Sequence, residues 1–292
     1  MITPSSLVRP DRRRLYSQRI AFALLMLSTA LIVLPVLYIM AYVLTRGAGA
    51  ISWEFLTAMP RQRGLAGGIF PAILGTIYLM VGTVFFALPI GVLAAVYLSE
   101  YARPGRITRM INLSIINLAG VPSIVYGMFG LGLFVLALRL GSSLLAASLT
   151  LACQALAMVI TTSREALLAV PKGYREGSLA LGATKWQTIW HVVLPQAMPG
   201  ILTGAVLAIS RAAGETAPIL AVGAAFVLPR LPSSPLDQFM ALPYHLYVVS
   251  TQVPGMPDQT KWGVALVLLG VVLLFNSLAI FLRLGVRAQR YR

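Results

Sequence analysis

Along the chain, apolar residues gather into six long runs, and nearly all the charge falls in the segments between them. The runs extend roughly from Ile20 to Leu44, Ile69 to Leu98, Met110 to Leu138, Ser142 to Thr162, Met198 to Val227 and Trp262 to Leu282. Each reaches the roughly 20 residues that a helix needs to cross the hydrocarbon of a bilayer. A helix satisfies its own backbone N–H and C=O groups where water is absent, so the runs predict helices rather than open strands. The expected fold class is all-α: a polytopic membrane protein with six transmembrane helices.

Composition narrows this further. Of 292 residues, 58% are hydrophobic and only 11% charged, where soluble domains carry about 25%. Mean hydropathy is +0.84. These values exclude a disordered chain, a secreted disulfide scaffold and a water-soluble enzyme. The one cysteine, Cys153, lies inside an apolar run, where it reads as filler rather than a redox group. The first run follows Arg9, Arg12, Arg13, Arg14 and Arg19, and Ala48-Gly49-Ala50 resembles a signal-peptidase site. A run of about 25 residues exceeds a signal core of 7–15, so an uncleaved anchor is expected.

Net charge is +15. No basic run carries interleaved aromatics for stacking on bases, so the charge points to topology rather than nucleic acid. With the N-terminus placed inside, sixteen basic residues fall in inner segments and six in outer ones, with Arg211 left within a run. That asymmetry predicts a multi-pass plasma-membrane protein, in contact with lipid, whose N- and C-termini are both cytoplasmic. The expected division is an N-terminal tail at 1–19, a transmembrane domain at 20–287 and a C-terminal tail at 288–292. Two connections are large: an inner loop at 163–195 and a proline-rich outer loop at 228–261. Within the outer loop, Leu236 to Ser250 is expected to form an amphipathic helix kinked by Pro243.

Two features do not belong in plain spans. Arg211 and Glu215 sit about 13 and 17 residues into the fifth run, which puts Arg211 near mid-bilayer. A central arginine costs about 2.5–3.5 kcal/mol even on the mildest insertion scale. Their spacing of four predicts a shared helix face and a pair. Such a pair either fixes packing or presents a cation to an anionic substrate. The third run is interrupted by Gly120-Val121-Pro122-Ser123. Proline suits a first turn, so two half-helices are expected, the second starting near Pro122. Its N-terminus, with Ser123 and Tyr126, offers donors to an anion at membrane depth.

The inner loop reads Glu176-Gly177-Ser178-Leu179-Ala180-Leu181-Gly182, then nine residues, then Val192-Val193-Leu194-Pro195. This resembles the cytoplasmic signature of ABC-importer permeases, with Gly177 and Ser178 in place of two alanines and Val192 in place of isoleucine. Gly182, followed by Ala183, permits a sharp turn between two short helices. More specific is Arg211-Ala212-Ala213-Gly214-Glu215-Thr216-Ala217-Pro218. With Gly120 to Gly127, it resembles the permease subunits of phosphate-specific ABC importers, the PstA type rather than the PstC type. The resemblance spans about Gly67 to Arg287.

It implies a MetI-like permease bundle and an ATP-driven importer of inorganic phosphate. It also implies a PstC-type second permease, two PstB-type ATP-binding subunits and a PstS-type extracytoplasmic phosphate-binding protein. ATP and Mg would sit on the ATPase subunits, leaving this chain without a cofactor or enzymatic activity of its own. Arg211, Glu215, Ser123, Tyr126 and Pro122 would line the substrate path. Glu176, Gly182, Ala183, Leu194 and Pro195 would couple it to the ATPase. Thr161 stands where such relatives often carry a basic residue, which leaves Arg211 as the one phosphate ligand carried over.

The chain has no Gly-x-x-x-x-Gly-Lys-Ser/Thr loop; in the nearest match, Gly177 to Thr184, Gly182 is followed by alanine. His191 and His245 stand apart with no metal-ligand spacing, so no metal site is expected. Two alternatives stay open: a permease for another oxyanion such as sulfate or molybdate, and an ion-driven secondary transporter. The second leaves the inner loop motif unexplained. An intramembrane enzyme is disfavoured, because no nucleophile–base pair occurs in the runs.

Overall fold

The computed structural model describes residues 12–288; the expected tails at 1–11 and 289–292 lie outside the described residues. Helix α1 (Arg12–Gly47) starts inside the stretch expected as tail and holds the first apolar run. A short α2 (Trp53–Thr57) follows, its N-terminus capped by Ser52, whose Oγ accepts from the Phe55 N–H at 3.1 Å. A small antiparallel hairpin, β1 (Pro60–Arg61) and β2 (Ala66–Gly67), leads into α3 (Phe70–Val96), which continues as π-helix through Tyr97–Tyr101.

The third run forms two helices, as the interruption predicts. These are α4 (Arg106–Ala119) and α5 (Ser123–Gly130), the latter prolonged by π-helical Leu131–Ala137. The two arms meet at 104°. Five helices are long and apolar enough to cross a membrane, and the bent pair makes a sixth when its arms count as one span. The remaining helices are α6 (Leu144–Leu168), α7 (Lys172–Ala180), α8 (Lys185–Thr188), α9 (Leu194–Gly214), α10 (Ala217–Val222), α11 (Leu242–Thr251) and α12 (Asp258–Ala288).

Helix α6 is the centre of the bundle, packed between α3 and α9. Buried alanines at 146, 147, 152, 155 and 157 let its neighbours approach closely. One apolar cluster, including Val96, Leu167, Ile189, Val193 and Leu194, holds the C-terminal ends of α3 and α6 and the start of α9 together. Another, including Leu79, Leu151, Ala212, Ile219 and Phe239, holds the outer half. By contrast, none of the most apolar stretch of α1 is buried, and α1 packs against α12 at the edge. Apolar helices left so exposed need lipid or another apolar chain around them.

Two expectations about elements change. The fifth run is not one helix. The helix begins earlier, at Lys185 in the inner loop, and runs 30 residues to Gly214. It then breaks at Glu215-Thr216 before α10, so Glu215 caps α9 in extended conformation (φ −75°, ψ 124°) rather than continuing it. The outer-loop helix starts at Leu242, not Leu236, and Pro243 occupies its first turn instead of kinking it. The Asp237 carboxylate accepts from Ser233 N–H (2.8 Å) and Ser234 N–H (3.0 Å), closing a turn where helix was expected. The strand-like stretch after it buries Phe239 completely and caps α6, with Leu144 N–H donating to Asp237 O (2.9 Å).

Candidate functional site

Arg211 lies in the last turn of α9, where the negative end of the helix dipole favours a cation. The pair expected from spacing is present: Arg211 Nε donates to Glu215 Oε1 at 3.1 Å. Glu215 makes it from outside the helix, because the break turns the chain back toward Arg211. The same Oε1 accepts from Gln154 Nε2 of α6 at 2.6 Å. Gln154 is the eleventh of the 25 residues of α6, so the group lies near the middle of that span. Arg211 therefore stands level with the middle of α6, although its own helix starts elsewhere.

Only Nε of Arg211 is engaged; its two Nη groups make no hydrogen bond among the described residues. The crevice between α6 and α9, lined by Leu151, Gln154, Ala155 and Ala208, has no room for a water molecule. The Arg211 side chain, which borders this crevice, is 38% exposed, so its unused fork is open to a ligand. Such a fork matches a tetrahedral oxyanion through two parallel N–H···O bonds.

Helix α10, which follows the break after α9, packs on α5. A Cβ added to Gly127 would lie 3.0 Å from Pro218 Cα, so the two backbones touch there and a larger residue would push them apart by a few tenths of an ångström. Pro122 caps α5 with φ −57°, ψ 140°, and Ser123, half-buried, opens the helix. Tyr126 departs from the expected role. Its hydroxyl donates to Leu118 O at 2.8 Å, latching α5 to the end of α4 across the bend. No hydrogen bond joins Tyr126 or Ser123 to Arg211 among the described residues.

At the inner end, α7 and α8 form a hairpin. Gly182 closes it at φ +84°, a conformation that costs other residues about 1–2 kcal/mol. Thr184 and Gln187 form a capping box: Gln187 N–H donates to Thr184 Oγ1 (3.3 Å), and Thr184 N–H to Gln187 Oε1 (2.8 Å). Glu176 and Gly182 are exposed and Ala183 half-buried at the tip. Leu181, 90% exposed, is an apolar knob. Leu194 is different: it is buried in the inner core, so it seats the hairpin on the bundle instead of meeting a partner. Pro195 follows it in the first turn of α9.

Arg175 and Glu100, which sequence reasoning passed over, fasten this hairpin. Arg175 Nη2 bonds Glu100 Oε1 (2.8 Å) and Leu167 O (2.8 Å), and Nη1 bonds Val170 O (2.6 Å). Gln154 was also missed, although an amide midway along an apolar run is a readable signal. His191 is exposed on the hairpin. His245 is buried against Phe226 in the outer loop, and burial pushes its pKa down to about 4. No cluster of three metal-ligating side chains occurs among the described residues.

The chain is thus a bundle of long apolar helices, two of them interrupted and one of these next to Arg211, with a helical hairpin at one end. Residues 87–288 match the family described as the binding-protein-dependent transport system inner membrane component. The chain belongs to this family, that of ABC transporter permease subunits. It is 34% identical over 289 residues to the phosphate transport system permease protein PstA 1 of Mycobacterium tuberculosis (strain H37Rv), covering 95% of this chain and 91% of that one. It is 32% identical over 280 residues to the probable ABC transporter permease protein YqgI of Bacillus subtilis (strain 168), covering 91% and 95%. Among solved structures, an inward-facing MetNI methionine ABC transporter aligns with TM-score 0.61 at 23% identity, covering 74% of this chain and 94% of that one. A bacterial alginate ABC transporter aligns with TM-score 0.63 at 12% identity, covering 91% and 94%. These likenesses show the expected MetI-like permease fold.

Proposed function

We propose that the chain is one of two permease subunits of an ATP-driven importer of inorganic phosphate. The observation that carries this reading is the open fork of Arg211, held by its Nε at mid-depth where α9 breaks. The names of relatives such as PstA 1 support phosphate as the cargo. Arg211 is the ligand, Glu215 orients it, and the Pro122–Ser123 start of α5 borders the path. Tyr126 keeps that border in place through its latch to Leu118.

Arg211 stands on an open face of this chain rather than in an enclosed cavity, and exposed Leu207, Leu220 and Met128 occur on the same three helices. A second permease, of the PstC type, would close the path over that face. The exposed tip around Glu176, Gly182 and Ala183 would dock on two PstB-type ATPase subunits, which carry ATP and Mg, while Leu194 and Pro195 pass the motion to α9. A PstS-type binding protein would deliver phosphate at the outer end. The basic-residue asymmetry supports cytoplasmic N- and C-termini.

The test is reconstitution of the chain with these partners in vesicles, followed by ATP-dependent phosphate uptake. Uptake that requires both the binding protein and ATP is expected. Preferential uptake of sulfate or molybdate would reassign the cargo, and uptake without an ATPase would reject the reading.

A further inference from the structure

A second polar site lies at the inner end of the bundle, away from Arg211. The π-helical end of α3, the N-terminus of α4 and the last turns of α6 enclose a cleft of about 430 Å³. Its polar lining is Thr108, Arg109, Asn112 and Arg164, with Gly105 at the mouth of α4. Neither arginine has an ion pair among the described residues. Arg164 Nε is buried without a hydrogen-bond partner. That nitrogen is covered by protein; what the cleft offers is the rest of the Arg164 guanidinium, which has no hydrogen-bond partner among the described residues, beside the equally unpaired Arg109.

The surroundings specify the sign and shape of that ligand. The acid nearest the cleft on α3, Glu100, is already bound by Arg175 at 2.8 Å, so it does not neutralise Arg109 or Arg164. Glu165, next to Arg164 on α6, is exposed to solvent. Arg103 and Arg106 flank the cleft and add to its positive field. Gly105 and Thr108, at the cap and in the first turn of this 14-residue helix, line the cleft, so the positive end of its dipole borders it. Two arginines and a helix N-terminus lining one cleft match a tetrahedral anion with several acceptor oxygens.

We propose that this cleft binds a phosphate group, presented either by an anionic phospholipid or by the free ion. Its position suits the first source: Ile107 (75% exposed) and Met110 (67% exposed) on α4 offer apolar surface beside the cleft for acyl chains. The volume also admits the free ion. The site is separate from the translocation path. Arg164 is ten residues beyond Gln154 along α6, roughly 15 Å. It therefore does not depend on Arg211 being a transport ligand.

The experiment uses the assembled complex in detergent, in an Arg211→Gln background that removes phosphate held in the path. One arm titrates delipidated complex with phosphatidylglycerol, with diacylglycerol as the phosphate-free control, and counts bound lipid by native mass spectrometry. The other arm measures binding of radiolabelled inorganic phosphate by equilibrium dialysis without lipid. The double variant Arg109→Gln with Arg164→Gln is expected to weaken binding about tenfold or more in at least one arm. The double lysine variant should retain most of it, and the arm that responds identifies the source. Where the double glutamine variant does not assemble, Arg109→Gln alone, at an exposed position, should give a smaller loss in the same arm. Equal binding by wild type and variant in both arms overturns the proposal. So does release of the ATPase subunits with lipid and phosphate binding unchanged, because the cleft then takes a protein carboxylate.

Discussion

Two arginines show how differently this chain treats its helix interruptions. At the hairpin, Arg175 spends Nε, Nη1 and Nη2 on Glu100, Val170 O and Leu167 O. At the mid-depth break, Arg211 spends only Nε, on Glu215. The turn at Leu181–Thr184 is likewise saturated, by a glycine in left-handed conformation and a reciprocal capping box. The turn at Glu215-Thr216 is not: Thr216 caps α10 without a side-chain hydrogen bond. A saturated interruption is a stiff joint that moves as a unit. An open one keeps hydrogen-bonding capacity in reserve, which in a low-dielectric setting is tolerable only if something else uses it.

The sharpest way to break this contrast is to delete each arginine. Arg211→Ala should leave assembly intact, because no other side chain depends on its Nη groups, yet cut transport by roughly two to three orders of magnitude, the scale seen when an anion-stabilising donor is lost. Glu215 is left without its cation, so the control is Arg211→Ala combined with Glu215→Ala. A ligand role predicts a double variant that assembles and stays inactive. Recovered uptake in the double variant would reduce Arg211 to a packing element. Arg175→Ala should do the reverse. It strands Glu100, 11% exposed, without a partner and frees two backbone carbonyls. A loss of about 3 kcal/mol in stability, the low end for a mostly buried pair, is expected, seen as a lower unfolding temperature, with phosphate recognition unchanged.

Gly182 tests the stiffness of the joint itself. Nothing lies within 4 Å of a Cβ built there, so space is not the constraint; the φ of +84° is. Gly182→Val should cost about 1–2 kcal/mol and misdirect the hairpin tip, while Gly182→Asn, which tolerates this conformation, should be mild. The readout is ATPase activity stimulated by the binding protein. The valine variant should lose it with the binding protein's own affinity unchanged. Normal uptake by the valine variant at wild-type abundance would reject the coupling assignment.

Much of this was legible in the residues, and what was not has a common cause. The span count, the break at Gly120–Ser123 and the turn at Gly182 follow from local rules for apolar length, proline and glycine. The Arg211–Glu215 contact was also expected, but for an incomplete reason. Helical spacing predicted it, whereas the structure makes it through a helix end, with Gln154 as third member. That partner is 61 residues away from Glu215 in sequence, a distance over which periodicity is silent. Arg175 and Glu100, 75 residues apart, were missed on the same ground. Tyr126 was assigned to the path because hydroxyls near a helix start suit anions. Only the fold shows that the end of α4 comes back within reach and takes its proton donor. The outer helix was extended too far because the Ser233–Asp237 turn competes locally with helix, and residue pattern alone does not rank the two.

Glu215 gives the smallest expected effect and the finest test of the open interruption, because a carboxylate beside the proposed anion path needs a reason. Its Oε1 serves Arg211 and Gln154, while Oε2 makes no hydrogen bond among the described residues. Hydrogen phosphate and dihydrogen phosphate carry O–H donors, and sulfate at neutral pH carries none. An ionised Oε2 would accept from phosphate and repel sulfate, and a charge-assisted bond of this kind contributes roughly 1.5–3 kcal/mol. Glu215→Gln keeps the size and one acceptor oxygen but removes the charge. The difference between a charged and a neutral acceptor, about 1 kcal/mol, predicts about a fivefold loss of phosphate flux and a comparable narrowing of phosphate over sulfate. Selection by the binding protein would mask this, so the measurement needs a permease variant whose ATPase or uptake runs without it. Reduced phosphate flux with discrimination unchanged would mean that Glu215 only holds Arg211 in place. The reserve of the open break would then belong to the guanidinium fork alone.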